Sequence, residues 1–491
     1  MAWVLSPLII VFATFSISCN KTIDQSMIVS ENILAKVGDK TITVNDYIKR
    51  CEYVPRPAYC RGDNYIHKKI ALNSLIAEKL LALEFEKLNY LTTESQRSII
   101  SGQKEQAMRH LMLRRFGYEQ VKIDTNQIIY LAKISKRKYE LRFVTLNKRH
   151  KQTIERLSKN TKLDDLVLIL DGDIEINKKT VLRNDNMIKE VEEILFFETQ
   201  KIKTLYGPFY VDSETILCFE INGWITSADV TEKQKKESWD EIVHKYTEKF
   251  ATEYYSGYVT KLMSGKTINY NPEVFELFSK KLERIYLIEK NKKEAVIETR
   301  LWERKEEIEF ASFDDIRKMK TRVILTHDKK QYKVSDLLDI IQKHPLVFRN
   351  KKITPKMFTN ELKYAIADLF RDIHITEKAY ELDFNMDINV INTEKKWGDY
   401  IKATVLRNKL GYNSTSKHRP AKPLTMKLDS LQKHYSSIIK IDTDKFEKIN
   451  LSTVDMSVTY SNQPYSKLEP EFPILTDDHR LDYGERVVFN D

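Results

Sequence analysis

The chain has 491 residues, of which 42% are hydrophobic and 31% are charged, which excludes a wholly disordered polypeptide and predicts two to four domains. With only 12 Gly and 12 Pro, the composition favours long helices with short connections over β-rich folds with many tight turns. The net charge of +10 arises from 81 basic and 71 acidic residues, which we interpret as a solvated surface with a basic bias. Attraction to nucleic acid, phospholipid headgroups or acidic wall polymers is the alternative.

The N-terminal residues predict export from the cytoplasm. Residues 4–15 are almost wholly apolar, a length that is too short for a membrane span but typical of a signal-peptide core. Ser18 before Cys19 resembles the motif of bacterial lipoproteins, so residues 1–19 are interpreted as a signal peptide and Cys19 as the lipidated first residue of the mature chain. No Lys or Arg precedes the apolar run, and Ser16 replaces the usual Leu. An unlipidated signal or a mis-assigned start codon therefore remains an alternative.

The other cysteines and the histidines suggest structural roles. Cys51 and Cys60 flank the segment CEYVPRPAYC, and in an oxidising compartment they are candidates for a disulfide that stiffens a helix–helix connection. Two free thiols are the alternative. Cys218 lies in an apolar run and is predicted to be an inert core residue. No cysteine–histidine spacing is typical of zinc and the ten histidines are scattered, so no metal site and no other cofactor is predicted.

Residues 20–137 are predicted to form an N-terminal helical domain. Residues 33–44 are typical of a short hairpin with its turn at Gly38-Asp39-Lys40, and Asn45 is expected to cap a helix that runs towards Cys51. Apolar residues at helical spacing predict further helices at residues 65–89, at residues 95–116 and from about residue 124 onwards.

The hydrophobic pattern changes near residue 139 and predicts a compact α/β domain over residues 138–226. The predicted strands and helices are, in chain order, a strand at 139–146, helices at 149–159 and 187–197, and a strand at 215–221. A helical connector is expected over residues 227–320.

Residues 321–412 are predicted to form a second helical unit that is related to the first. The hairpin pattern recurs, with Val44 and Val334 separated by 290 residues. By Leu88 and Leu382 the offset is 294, an insertion of about one helical turn that keeps the buried face in phase. Chance recurrence of a helix pattern is the alternative. Residues 413–491 are interpreted as a linker and a C-terminal extension that ends in an extended tail.

Three parts of the chain together resemble a known family. The chain is similar to the SurA/PrsA group of envelope foldases in the N-terminal segment Ala35–Arg50 (AKVGDKTITVNDYIKR), the predicted helix Ala71–Tyr90 and the α/β domain. These are exported parvulin-type peptidyl-prolyl isomerases with a helical chaperone domain. The resemblance implies a predominantly helical α+β fold, with a chaperone-like helical core, an inserted parvulin-like domain and a second related helical unit.

Within the insert, the stretch Glu193–Phe209 resembles the parvulin segment that ends in a Gly-Pro before the last strand. On this comparison Gly207-Pro208 matches the Gly-Pro, and Phe197 is the candidate for the aromatic residue that lines the proline pocket. Parvulins also carry one histidine in the first strand, one in the last, and a glycine-rich loop, all of which are missing here. No catalytic residue is therefore assigned, and the insert is expected to bind rather than to isomerise efficiently.

The predicted function is that of an ATP-independent chaperone or foldase of the periplasm. Ser264-Gly265-Lys266-Thr267 is similar to a phosphate-binding loop, but position 260, where the loop needs glycine, is Thr260, so no nucleotide is expected. The expected partners are unfolded exported or outer-membrane polypeptides and, through the lipid anchor, a membrane, but no nucleic acid. The alternatives are an active parvulin-type isomerase and a structural envelope lipoprotein.

Overall fold

The fold is predominantly helical α+β, as the sequence predicted, with 56% of the described residues in helices and 16% in strands. The structure, a computed structural model, describes residues 32–157, 161–170, 174–212, 214–227, 231–287, 316, 318–350, 353–412, 420–452 and 457–489. The predicted signal peptide and Cys19 lie outside these residues. In the described ranges, no helix combines the length and apolar character that crossing a membrane requires.

The chain divides into two compact units. The first unit combines residues 1–111 with residues 262–491, and the second unit consists of residues 112–261. The first unit thus contains the predicted N-terminal helical domain up to residue 111 together with the predicted second helical unit, whereas residues 112–137 of the predicted N-terminal domain belong to the second unit. The second unit contains the predicted α/β domain together with flanking helical residues.

The N-terminal part of the first unit begins with the predicted hairpin. Its turn contains Gly38 at φ +62°, a backbone conformation that glycine adopts most easily. The next helix is capped by Thr43 rather than by the predicted Asn45, because the Thr43 hydroxyl accepts a hydrogen bond from the Asp46 amide at 3.0 Å. The elements are β1 (Ile33–Val37), β2 (Lys40–Thr43), α1 (Val44–Glu52), α2 (Tyr65–Lys87) and α3 (Glu94–Phe116).

The second unit contains a four-stranded antiparallel sheet in the order β4-β3-β6-β5. Helices lie between the strands in sequence and also before and after the sheet. In chain order the elements are α4 (Thr125–Ser135), β3 (Arg137–Asn147), α5 (Lys151–Glu155), α6 (Leu163–Leu170), β4 (Asn177–Val181), α7 (Lys189–Phe197), β5 (Leu205–Tyr210), β6 (Thr215–Thr226) and α8 (Glu232–Met263).

The second hairpin of the first unit has the same strand register as the first hairpin. Val37 pairs with Lys40 in one hairpin, and His327 pairs with Lys330 in the other, so that both partners are offset by 290 residues. The register also shifts at equivalent places, between Ile33 and Ala35 in the first hairpin and between Val323 and Leu325 in the second. The elements here are β7 (Ile268–Tyr270), α9 (Pro272–Tyr286), β8 (Val323–His327), β9 (Lys330–Lys333), α10 (Val334–Lys343) and α11 (Pro355–Glu381).

The C-terminal residues complete the core that the N-terminal helices begin. Strand β10 pairs with β1, so the two ends of the chain share one sheet in the order β11-β10-β1-β2. Buried residues of this region, among them Phe446, Phe472 and Leu481, belong to the same apolar cluster as helix α2. The elements are α12 (Ile388–Lys409), α13 (Lys422–His434), β10 (Ile439–Ile441), α14 (Thr443–Glu447) and β11 (Glu485–Arg486).

This arrangement differs from the predicted boundaries at residues 412 and 413. Helix α12, which was assigned to the second helical unit, packs against α2 and adds Ile401 and Leu406 to the N-terminal cluster. The residues from 420 onwards, which were interpreted as a linker and extension, supply much of the same cluster. Long irregular segments show no helical or strand period, so the sequence alone did not indicate where they pack.

Helix α2 is buried on nearly every side and carries polar residues at buried positions. Several of these residues donate hydrogen bonds to backbone carbonyl oxygens of the C-terminal segment. Lys68 Nζ lies 2.8 Å from the oxygen of Ile449, and Asn73 Nδ2 lies 2.8 Å from that of Asp478. These bonds satisfy carbonyl groups that would otherwise be buried without a partner.

The predicted disulfide between Cys51 and Cys60 is not present, because both residues are free, buried thiols. The loop that they flank is instead held by buried Arg56, whose Nη1 donates to the carbonyl oxygens of Cys60 at 2.7 Å and of Gly62 at 3.3 Å. Burial raises the pKa of each thiol to about 12. Burial also raises the pKa of Cys218, in the second unit, to about 12.

We expect Phe446→Ala to destabilise the first unit by about 3–5 kcal/mol, because it removes a fully buried ring from the core and leaves a cavity. The ring packs edge-on against Tyr47 at a centroid distance of 5.9 Å. Urea unfolding measures the loss. Met426→Ala on α13 is the control, since its side chain is 66% exposed, and should change stability by less than about 0.5 kcal/mol. Equal effects of the two variants would contradict a core that is completed by the C-terminal segment.

We expect the thiols of Cys51, Cys60 and Cys218 to be unreactive in the folded chain, because the reactive thiolate is scarce and reagent access is blocked. In a Cys19→Ser variant, Ellman's reagent at mildly alkaline pH should detect none of them before denaturation and all three afterwards. If the denatured chain showed one free thiol, and three only after treatment with a reducing agent, Cys51 and Cys60 would be joined by a disulfide.

Candidate functional site

The sheet of the second unit has one face that is rich in aromatic side chains. Strand alternation directs odd-numbered residues of β3 and β6 to this face. Its more open part is formed by Phe143, Tyr206, Phe209, Leu217 and Phe219, which we call the aromatic face. Phe219 is buried, whereas the other four residues are half-buried and retain some contact with solvent.

Phe219 on the central strand β6 organises the aromatic face. Phe143 on β3 and Tyr206 on β5 are its direct cross-strand partners, so the three rings form one row across the sheet. The Tyr206 ring stacks on Phe219 at a centroid distance of 5.2 Å, and the Phe209 ring lies 5.9 Å from it at a tilt. Aromatic rows of this kind are stabilised by ring–ring contacts as well as by area burial.

A register shift in β5 brings both Tyr206 and Phe209 to the aromatic face. Two residues, Gly207 and Pro208, lie between them and are joined by a cis peptide bond. Gly207 has φ +120°, and a Cβ atom at this position would lie 2.7 Å from the carbonyl oxygen of Leu217. Only glycine therefore allows β5 to approach β6 this closely.

The aromatic face offers apolar surface and no acid or base that titrates near neutral pH. Of its five residues only Tyr206 is ionisable, and the hydroxyl of Tyr206 accepts a hydrogen bond from the Lys201 amide at 2.8 Å. Tyr139, deeper in the same face, donates its hydroxyl to the carbonyl oxygen of Leu195 at 2.7 Å. Burial raises the pKa of Tyr139 to about 12. The face can therefore bind apolar or prolyl groups, but it supplies no side chain for proton transfer.

The opposite face of the sheet is held to helix α6 by charged groups. Arg142 lies 2.6 Å from Glu220 and also forms an ion pair with Asp164 at the start of α6. Glu220 in turn accepts a hydrogen bond from the Leu163 amide at 3.3 Å. Cys218 lies on this face as a fully buried core residue. These contacts stabilise the domain, and the aromatic face is the more open of the two.

The structure does not bring Phe197 into the aromatic face as defined above. The half-buried Phe197 ring packs against both the sheet core and a second cluster formed by helices α4 and α8. Lys249 on α8 lies 5.1 Å above the ring centroid. Phe197 thus occupies a junction within the second unit, where its contacts are those of a packing residue.

Sequence reasoning missed the residues that do form the aromatic face. Strands β3 and β6 were predicted, and their alternation could have identified Phe143, Leu217 and Phe219. Strand β5 was not predicted, because its six residues carry a Gly-Pro pair that is unusual within a strand. Tyr206 and Phe209 could therefore be assigned to this face only from the register of β5 against β6.

The first unit brings together two histidines that appeared scattered in the sequence. His327 at the end of β8 and His374 on α11 lie with Asp328 in one cluster, whose nitrogen and oxygen atoms are all within 4.8 Å of one another. The sequence predicted no metal site because 47 residues separate the two histidines and no motif spacing exists. Only the packing of the hairpin against α11 makes them neighbours.

Comparisons with known proteins identify no relative of this chain. No family model, no curated protein and no solved structure matches it. The resemblance to the SurA/PrsA group therefore stays a prediction from the sequence.

Proposed function

We propose that this protein is an ATP-independent folding factor of the bacterial cell envelope, which holds unfolded exported polypeptides in the manner that its resemblance to the SurA/PrsA group implies. The observation that carries this proposal is the half-buried aromatic face of the second unit. Export through residues 1–19 and lipidation at Cys19 belong to the same proposal and rest on the sequence alone.

The chemistry of the aromatic face supports binding of unfolded chains. Unfolded polypeptides expose apolar and aromatic side chains, and burial of such surface stabilises a complex by about 25 cal/mol per Å². The flat rings of Phe143, Tyr206 and Phe209 retain solvent contact and can accept side chains of many shapes. The one polar group on these rings, the Tyr206 hydroxyl, already accepts a hydrogen bond from the Lys201 amide, which is compatible with broad rather than sequence-specific recognition.

The architecture of the insert is also compatible with the resemblance. It combines a four-stranded antiparallel sheet with helices between the strands, and it carries Gly207-Pro208 within β5, the strand that precedes and pairs with the last strand β6. Members of the family carry a histidine in the first strand and another in the last strand of the sheet. The corresponding strands of this chain carry apolar residues, among them Phe143 and Leu217, on the aromatic face. Loss of these histidines favours a binding role over efficient catalysis.

An active peptidyl-prolyl isomerase is the second candidate, and the aromatic face is the observation that favours it. Rotation about a prolyl bond needs no covalent intermediate, and its barrier of about 18–20 kcal/mol can be lowered by a pocket that desolvates and twists the amide. An aromatic row can receive the prolyl ring without any titrating group. Proline-limited refolding separates the two candidates, since an isomerase accelerates it at catalytic concentrations and a holding chaperone does not.

The double variant Phe143→Ala, Phe209→Ala should weaken client binding about 10-fold, because it removes two rings from the aromatic face. The measurement is the chaperone concentration that half-suppresses aggregation of an unfolded outer-membrane protein. Tyr210→Ala is the matched control, since Tyr210 is on the same strand but pairs with Ile216 on the other face and is 51% exposed.

Thermal melting followed by circular dichroism verifies that the variants fold. If the double variant does not fold, the two single variants are tested instead. Wild-type suppression that equals that of the double variant would contradict binding at the aromatic face. No suppression by the wild-type protein at any ratio would contradict the proposed function itself.

A further inference from the structure

The cluster of His327, Asp328 and His374 lies in the first unit, away in sequence from the aromatic face. His327 is the last residue of β8, and its side chain is only 4% exposed. Its ring packs beside that of Phe370, with centroids 4.5 Å apart. Asp328 is the first residue of the hairpin turn, and His374 projects from α11 with its side chain 16% exposed. The cluster is thus mostly covered but reachable from solvent on the side of Asp328 and His374.

The hydrogen-bond partners of the two histidines determine their tautomers. Nδ1 of His327 lies 2.9 Å from the carbonyl oxygen of Thr267, which can only accept a hydrogen bond. Nδ1 of His374 lies 2.8 Å from a carboxylate oxygen of Glu377, which as an ionised group also only accepts. Each ring therefore carries its proton on Nδ1. With the proton on Nδ1, the Nε2 atom of each ring presents its lone pair to a ligand.

These two lone pairs face each other. Nε2 of His327 lies 2.7 Å from Nε2 of His374. Two facing lone pairs repel at this distance, and a positive charge between or beside them, either an extra proton or a metal ion, would relieve the repulsion. The outer partners, a backbone carbonyl and a carboxylate on Nδ1, are those that metal-bound histidines commonly have.

Asp328 lies beside this pair of nitrogens. Its Oδ2 lies 3.8 Å from Nε2 of His327, and its Oδ1 is held by the Thr267 amide at 3.2 Å. Oδ2 also accepts a hydrogen bond from Lys266 Nζ at 3.2 Å. Lys266 therefore competes with any cation for this oxygen. The hydrogen bonds from the Thr267 amide and from Lys266 orient the Asp328 carboxylate beside His327.

The repeated hairpin shows that the fold itself does not need a histidine at position 327. The equivalent residues of the first hairpin, 290 positions earlier, are Val37 and Gly38. Val37 is fully buried in an apolar core and satisfies the same strand register. An imidazole at the corresponding place buries a polar ring, which is costly unless both nitrogens have partners. The histidine pair thus has a role other than strand pairing.

We propose that His327, His374 and Asp328 form a binding site for one divalent transition-metal ion, with Zn²⁺ as the representative. Two imidazole nitrogens and one carboxylate suit zinc, cobalt or nickel rather than calcium or magnesium, which prefer oxygen ligands. An ion about 2.1 Å from both nitrogens in tetrahedral geometry requires roughly 3.4 Å between them, so the rings separate by less than about 1 Å on binding. His374, on a partly exposed helix face, can make this adjustment.

A bound ion would connect the β8–β9 turn to helix α11. His327 and Asp328 hold the end of the hairpin, and His374 lies near the C-terminal end of α11. The hairpin is small and its other contacts to the helix are apolar packing. Metal binding should therefore raise the thermal stability of the first unit, without involving the aromatic face.

The test is metal titration of the full-length, tag-free chain after treatment with a chelator. Isothermal titration with ZnCl₂ should show one ion per chain, and Co²⁺ should give the visible absorption of a low-symmetry nitrogen- and oxygen-coordinated ion. His374→Ala should abolish this stoichiometric binding, whereas His434→Ala, which removes an exposed histidine from α13, should leave it unchanged. Lys266→Met should tighten binding several-fold, because it frees Oδ2 of Asp328.

Absence of stoichiometric binding by the wild-type chain would overturn the proposal and favour a proton shared between the two rings. Binding that survives in His374→Ala would also overturn it, because the ion would then lie elsewhere. His374 is partly exposed, so its replacement should preserve the fold, and a melting curve in the presence of chelator verifies this. We also expect ZnCl₂ to raise the melting temperature of the wild-type chain but not that of the His374→Ala variant.

Discussion

The structure of the first unit depends on satisfying the backbone of an extended segment that packs against the largely buried helix α2. The described residues of this segment, 449–452 and 457–482, carry few backbone hydrogen bonds of their own, yet several of them are buried in the same apolar cluster as α1 and α2. Their carbonyl groups are satisfied by side chains, including Arg50, Lys68, Asn73 and Ser74. Removal of these donors would leave buried acceptors without partners, each costing about 1–3 kcal/mol.

This constraint explains why helix α2 carries buried polar residues among its apolar ones. A helix that packed only against other helices would need an apolar surface alone. Arg50 shows how charge is accommodated, because it pairs with Glu78 at 2.8 Å while donating to the carbonyl oxygen of Glu471 at 2.6 Å. The N- and C-terminal parts of the chain therefore fold as one unit, and neither part contains a complete core by itself.

The two hairpins of the first unit share one strand register but carry different side chains at the end of the first strand. The first hairpin is built into a sheet with β10 and presents Val37 to an apolar core. The second hairpin pairs with β7 and presents His327 to a histidine on the following long helix. Strand register and helix start are the same in both, so the difference arises from the side chains at the end of the first strand.

The sequence by itself determined the elements with strong periodicity. The helices predicted at residues 65–89 and 95–116 are found at Tyr65–Lys87 and Glu94–Phe116, because apolar spacing and end signals are local properties of the chain. The offset of 290 residues between the two hairpins was likewise readable from local pattern. Tertiary structure alone decided that the C-terminal segment completes the N-terminal core, that Tyr206 and Phe209 share one face, and that His327 meets His374. Each of these depends on packing or register between residues far apart in the chain, which no local pattern encodes.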